Sequence, residues 1–121
     1  MSESPTIRDW HAHIYFDDAG QKAKALAVRE AIGGKFETTL GRVHDVPVGP
    51  HPIGMYQVLF ANTLFAEFVS WLALNRGGLD ILVHPNTGDD VADHSDHAIW
   101  LGTKLPLDLE FLRKIAAGRA T

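Results

Sequence analysis

The sequence predicts an α+β fold, a ferredoxin-like βαββαβ sandwich with a C-terminal extension. Three observations predict it. Period-two alternation marks a strand at residues 10–16, with further short apolar runs near 53–60 and 79–84. Apolar residues at helical spacing fill the intervals after the first and third strands. Glycine pairs and prolines punctuate the joints. The length of 121 residues fits a single domain, with a core over about residues 8–85 and a loop and extension over 86–121.

Residues 10–16, Trp-His-Ala-His-Ile-Tyr-Phe, form the first strand. Successive strand side chains point to opposite faces. Trp10, Ala12, Ile14 and Phe16 therefore share one face, and His11, His13 and Tyr15 share the other. That is a central strand with a core behind it and a polar site in front. Asp17 or Asp18 caps a helix running to about Ile32, with Ala25, Val28 and Ile32 on one face and Gly33-Gly34 as its stop. Lys35 to His44 reads as the second strand. Three prolines stiffen the connection Asp45 to Pro52, and Ile53 to Phe60 is the third strand.

Asn62 or Thr63 caps a second helix, whose stripe Phe65, Phe68, Val69 and Leu72 packs on the core, as does Trp71. Gly77-Gly78 ends it. Leu79 to His84 is the fourth strand, closed by Pro85. A polar, turn-rich stretch Asn86 to His97 leads to a short apolar piece, Ala98 to Leu101, and a final helix from Asp108 to about Ala117. The first strand is expected at the centre of the sheet, parallel to the third and antiparallel to the fourth. Two helices cover one face. The other face needs a partner sheet or the extension, which predicts a homodimer, a dimeric α+β barrel.

Composition narrows the function. Hydrophobic content of 45% and charged content of 21% belong to a folded domain. The net charge is −4 and no Lys/Arg cluster forms a basic stripe, which argues against nucleic acid as a partner. With no cysteine there are no disulfides, thiolate zinc sites, iron–sulfur clusters or cysteine nucleophiles. The opening Met-Ser-Glu-Ser-Pro-Thr has no apolar leader and no run approaches membrane-spanning length, so the cytoplasm is the expected compartment.

The seven histidines are then the main ligands for a soft metal. His11 and His13 open the first strand, His44 closes the second, His51 precedes the third and His84 closes the fourth. The expected topology brings these positions to one sheet edge, from which the segment carrying His94 and His97 also leaves. His51 and His84 each precede a proline, which holds their backbone extended. Imidazoles suit iron, copper, nickel or zinc, and two of them with one carboxylate form the usual non-haem iron(II) arrangement. Asp89, Asp93 and Asp96 are the candidate carboxylates. Asp93-His94 and Asp96-His97 are alternatively pairs in which a carboxylate orients a ring. Arg42 shares a strand face with His44 and could clamp a substrate carboxylate.

Several blocks of this chain together resemble the DOPA 4,5-dioxygenase family. They are His13-Ile-Tyr-Phe16, Val48-Gly-Pro-His-Pro52 with Met55-Tyr56, Trp71-Leu-Ala-Leu-Asn-Arg-Gly77, Leu82-Val-His-Pro-Asn-Thr-Gly-Asp89, Asp93-His94 and Ala98-Ile-Trp-Leu-Gly102. The resemblance implies extradiol cleavage of a catechol such as DOPA by iron(II) and O₂, with metal or acid–base roles falling on His13, His51, His84 and His94. The resemblance does not itself assign the ligands; the expected convergence of the histidines makes His13 and His84 metal ligands and His51 a third ligand or the base. His44 and His94 join His51 as acid–base groups, and His11, Tyr15, Arg42 and His97 contact substrate. Zinc or another divalent metal is the alternative to iron(II). Two other readings stay open: a non-catalytic dimeric module holding a small molecule or zinc, and a hydrolase using zinc-activated water.

Overall fold

Strand β1 (Asp9–Phe16) is the axis of the molecule, hydrogen-bonded on both sides. The structure is a computed structural model that describes residues 4–120. The sheet has five strands in the order β2-β3-β1-β4-β5, where β2 is Thr39–Leu40, β3 Gly54–Phe60, β4 Ile81–Asn86 and β5 Ile99–Leu101. Every neighbouring pair is antiparallel. In β1–β3 the register runs from Trp10 opposite Phe60 to Phe16 opposite Gly54, and in β1–β4 from Asp9 opposite Asn86 to Ile14 opposite Ile81.

The central place of β1 and its pairing with β4 agree with the sequence reading. The parallel pairing expected between β1 and β3 does not occur. A helical crossover returns β2 in the direction of β1, and the reversal between β2 and β3 then turns β3 against both. This is the ferredoxin-like order with a fifth strand added at one edge.

Helices α1 (Ala19–Lys35) and α2 (Phe65–Asn75) pack on one face. The alternation of β1 decides which face, because Ala12, Ile14 and Phe16 join Ala25, Val28, Ile32, Phe68 and Leu72 in the main core. Asp18 caps α1 by accepting from the Gln21 N–H at 2.8 Å. The helix runs through Gly33-Gly34 rather than stopping there, and neither glycine has a positive φ. Buried Phe36 holds the extra turn, its N–H donating to the Ile32 carbonyl and its ring packed against Phe68 and Trp71. Packing outweighs the roughly 1 kcal/mol by which each helical glycine falls short of alanine.

The second strand is shorter than the span Lys35 to His44. Its pairing ends after the Gly41 N–H bonds the Gln57 carbonyl at 2.7 Å and resumes only as a bridge between His44 and Met55. Before α2, Asn62–Leu64 form a 3₁₀ turn, and neither Asn62 nor Thr63 caps the helix. The Asn62 amide donates instead to the Ile7 carbonyl. Gly77 and Gly78, at φ of 60° and 83°, end α2 as expected. Strand β4 continues through Pro85 to Asn86. Its outer neighbour β5 pairs only with Ile81–Val83, so a residue without an N–H is tolerated beyond that point.

The opposite face is covered by the chain's own C-terminal part. Short helix α3 (Asp90–Asp93) precedes edge strand β5, and helix α4 (Leu109–Ala120) follows it. A second, smaller core joins Tyr15, Met55 and Leu82 to Trp100, Leu105 and Leu107. The Asp108 N–H bonds the Pro50 carbonyl at 2.9 Å, which fastens the extension to the loop before β3. Among the described residues no helix is long and apolar enough to cross a membrane.

Gly54 marks a close approach. A Cβ there would lie 2.5 Å from Phe16 Cε2 and 2.9 Å from the His44 carbonyl oxygen. Gly54→Ala should therefore destabilise by about 1–3 kcal/mol, the usual cost of overpacking. Urea titration measures it: the midpoint should fall with an unchanged slope.

Candidate metal centre

On the face of β1 turned away from α1 and α2 stand His11, His13 and Tyr15. The β1–β4 register sets His84 directly opposite His11, so its imidazole projects from the same face. The His84 ring centre is 5.1 Å from that of His13 and 5.1 Å from that of His11. The two Nε2 atoms of His13 and His84 approach to 3.0 Å. Because β3 runs against β1, the loop before it arrives at the C-terminal half of β1. It delivers His51 to Tyr15, whose hydroxyl lies 2.7 Å from His51 Nδ1, and to within 4.3 Å of the His13 ring. His94, just after α3, completes the group with its ring 4.1 Å from that of His84.

The imidazoles thus gather as expected, but for a different reason. Parallel β1 and β3 would have met at their N-terminal ends. The antiparallel pairing instead spreads the group along β1, with His84 at one end and His51 at the other.

Hydrogen bonds fix much of the proton arrangement. The Nδ1–H of His84 donates to the Pro85 carbonyl at 2.9 Å, and that of His94 donates to the Asp90 carbonyl at 2.7 Å. A ring whose proton sits on Nδ1 presents a bare Nε2 as a lone-pair donor, and that of His84 faces His13. The bond between His13 and His84 then needs a proton on His13 Nε2, which leaves His13 Nδ1 a buried acceptor with no donor. The alternative proton position leaves a buried Nδ1–H unpartnered and sets two lone pairs face to face. A cation between the rings would relieve the facing lone pairs of the second state, with His13 then carrying its proton on Nδ1. Metal–nitrogen bonds of about 2.1 Å meeting at a right angle put their nitrogens about 3.0 Å apart. The observed spacing fits that arrangement.

Electrostatics favour the neutral, ligating form. His13 and His84 are 3% and 1% exposed. Burial, reinforced by the neighbouring imidazoles, holds His13 well below its ordinary pKa and brings His84 down to about 3. Burial brings His51 down to about 4, and lowers His11 against the opposing pull of Asp9. Burial also pushes the Tyr15 phenol well above the usual range, so its hydroxyl keeps its proton.

Three rings, His11, His13 and His84, have ligand nitrogens within 4.8 Å of one another and could hold one metal ion. His11, read from the sequence as a substrate contact, lies in this group; its signal was the His-x-His spacing on one strand face. His51 adjoins the group through Tyr15 and His13.

Other expected residues lie apart or have other partners. His44 bridges Met55 near His51, and Arg42 is exposed between β2 and β3. Two of the candidate carboxylates, Asp89 and Asp93, have structural partners. Asp89 caps α3 through the Ala92 N–H, and Asp96 is exposed. Asp93 is buried, with its oxygens taken by the Thr87 N–H, the Thr87 hydroxyl and His97 Nδ1. Burial alone would raise its pKa, but these hydrogen bonds lower it. The pairs Asp93-His94 and Asp96-His97 expected from adjacency are thus replaced by one pair, Asp93 with His97 four residues on, because the turn after α3 folds back so that the His97 N–H bonds the Ala92 carbonyl.

An antiparallel α+β domain with a buried, all-imidazole, metal-sized group defines the class. The chain belongs to the Dopa 4,5-dioxygenase family, whose sequence profile matches residues 10–111. Over 111 residues it is 40% identical to a DOPA 4,5-dioxygenase from Amanita muscaria, covering 85% of this chain and 49% of that protein. Over 119 residues it is 40% identical to an uncharacterized 21.2 kDa protein from Botryotinia fuckeliana, covering 89% of this chain and 65% of that one. The chain therefore spans about half to two thirds of the length of these relatives. A crystal structure from Nostoc punctiforme, described as a candidate dioxygenase, is 55% identical and superposes with a TM-score of 0.88 over 90% of this chain and 94% of that one.

These depressed histidines make the metal-free fold acid-labile. Above pH 6.5 they are neutral in both folded and unfolded states and cost nothing. Below it the unfolded chain binds protons that the folded chain refuses, so stability falls with pH down toward the folded values of about 4 and 3 for His51 and His84. Thermal melts between pH 7 and about pH 4 should show a falling midpoint, less steep in His84→Gln. A flat profile would contradict the neutral, buried assignment.

Proposed function

We propose that this protein is a non-haem iron(II)-dependent extradiol dioxygenase acting on catechols. The observation that carries the reading is the facing of His13 and His84 at 3.0 Å, buried and neutral, with His11 beside them. Family membership supports dioxygenase chemistry. His13, His84 and His11 would hold the ion, with His51 next to them as a further ligand or as the base. When bound, iron(II) would supply the point at which a catechol and O₂ are held together for ring opening.

The remaining work falls to side chains of this chain. His51 and Tyr15 form a proton relay at fixed heavy-atom positions. With its proton on Nδ1 directed at the Tyr15 oxygen, His51 presents a bare Nε2 that takes a catechol proton. The ring is then an imidazolium whose Nδ1–H is still held by the Tyr15 oxygen, and it returns the same proton from Nε2. The raised pKa of the phenol keeps Tyr15 a neutral acceptor throughout. His94, whose bare Nε2 lies in the same group, is a second acid–base position. Trp100, stacked on Tyr15 at 6.0 Å, provides an aromatic wall and helps keep water out.

An all-imidazole set suits zinc as well as iron, so a zinc-holding binding module is the second reading. Anaerobic loading with iron(II), followed by O₂ uptake in the presence of catechols, separates them. One O₂ should be consumed per catechol, with a ring-opened coloured product. His13→Ala and His84→Ala should each lower uptake by about 100-fold or more, and His51→Ala by about 10²–10⁴-fold with the metal retained. Catechol binding without uptake by the iron-loaded protein would favour the binding module.

A further inference from the structure

Beside the imidazole group a cavity of about 190 Å³ opens between His94 and the extension, with Trp100, Leu105, Pro106 and Leu107 among its walls and Lys104 lining it. It reaches the centre through two of its residues. His94 packs 4.1 Å from the His84 ring, and Trp100 stacks on Tyr15. Sites for drug-sized ligands start at about 300 Å³. This one suits a single aromatic ring with a short side chain.

The lining is apolar apart from His94, Ser95 and Lys104. Lys104 is its one cation, and no carboxylate lines it. Among the described residues Lys104 has no ion pair or hydrogen bond, so its ammonium is available to a ligand. A flat apolar wall beside the imidazoles takes a ring. An unpaired ammonium takes an anion. The absence of any acidic group in the lining leaves a ligand's own ammonium without a partner. Arg42, the sequence-based candidate for a carboxylate clamp, is exposed on the segment between β2 and β3 and does not line this cavity.

We propose that this cavity is the substrate subsite and that Lys104 sets its specificity, selecting catechols whose short side chain carries a carboxylate and no amine. The proposal rests on the ring-cleavage reading above for what happens after binding, but not for binding itself. Lys104 is a specificity residue, remote from the reacting atoms.

The test follows quenching of tryptophan emission in the iron-loaded protein without O₂, using 3-(3,4-dihydroxyphenyl)propionate, DOPA, dopamine and 4-methylcatechol. The propionate should bind tightest and dopamine weakest. Lys104→Met should weaken the propionate by about five-fold at low ionic strength and leave 4-methylcatechol unchanged, the modest size reflecting an exposed charge. Lys104→Arg should restore the preference, and about 0.5 M salt should erase it in the native protein. Equal binding of all four ligands, or no effect of Lys104→Met on the propionate, overturns the proposal. O₂ uptake measured in parallel keeps the two ideas apart. Lys104-dependent binding with no uptake upholds the subsite and rejects the dioxygenase. Uptake with all four ligands alike upholds the dioxygenase and rejects the role of Lys104.

Discussion

The contact on which this structure turns is between two imidazoles on adjacent strands, His13 and His84, whose Nε2 atoms meet at 3.0 Å inside the protein. A buried polar atom without a partner costs about 1–3 kcal/mol. The ring-to-ring bond satisfies one atom of each histidine, and the Pro85 carbonyl satisfies the other nitrogen of His84. His13 Nδ1 stays unmatched. A fold optimised only for stability would fill this face with apolar side chains. Instead it crowds five rings, His11, His13, His51, His84 and His94, within reach of one another, and burial suppresses the charge of the first four. Local polar cost of this kind is what functional sites carry.

The rest of the architecture serves to hold those rings still. The same alternation that sends Ala12, Ile14 and Phe16 into the helical core sends His11, His13 and Tyr15 to the opposite side. Each outlying histidine is then tied by a backbone or buried anchor. Asp90 fixes the His94 ring. Asp93 pins the turn that carries His94 by gathering Thr87 and His97. The bond from Asp108 to Pro50 fastens the loop that carries His51 to the start of α4. The extension thus closes the second face, walls the cavity beside His94 and steadies a site residue at once.

Much of this was legible in the sequence because it follows from short-range rules. The two faces of residues 10–16, the buried stripes of both main helices, the Asp18 cap and the glycine stop after Asn75 depend on periodicity and local bonding. What was not legible depends on partners distant in sequence. The run of α1 through Gly33-Gly34 depends on Phe36 docking against Phe68 and Trp71. The shortness of β2 depends on where its edge can pair with β3. The β1–β3 direction follows from tracing the whole crossover, and misreading it predicted the histidine cluster at the wrong part of the sheet. In the site, Asp93 and His94 are adjacent in sequence but face different partners, since the turn that follows α3 brings His97 back to Asp93. His11 drew less weight than His51 because a proline neighbour is visible in sequence, whereas the register that sets His84 opposite His11 is not.

The central claim is that the imidazoles on this face share one divalent ion. X-ray absorption at the iron edge of the anaerobically loaded protein reads it most directly. The account predicts one ion per chain with nitrogen neighbours near 2.1 Å and the outer-shell scattering of at least two imidazoles, lost together in the His13→Ala, His84→Ala double variant. A spectrum of oxygen neighbours alone, unchanged in that variant, would contradict it.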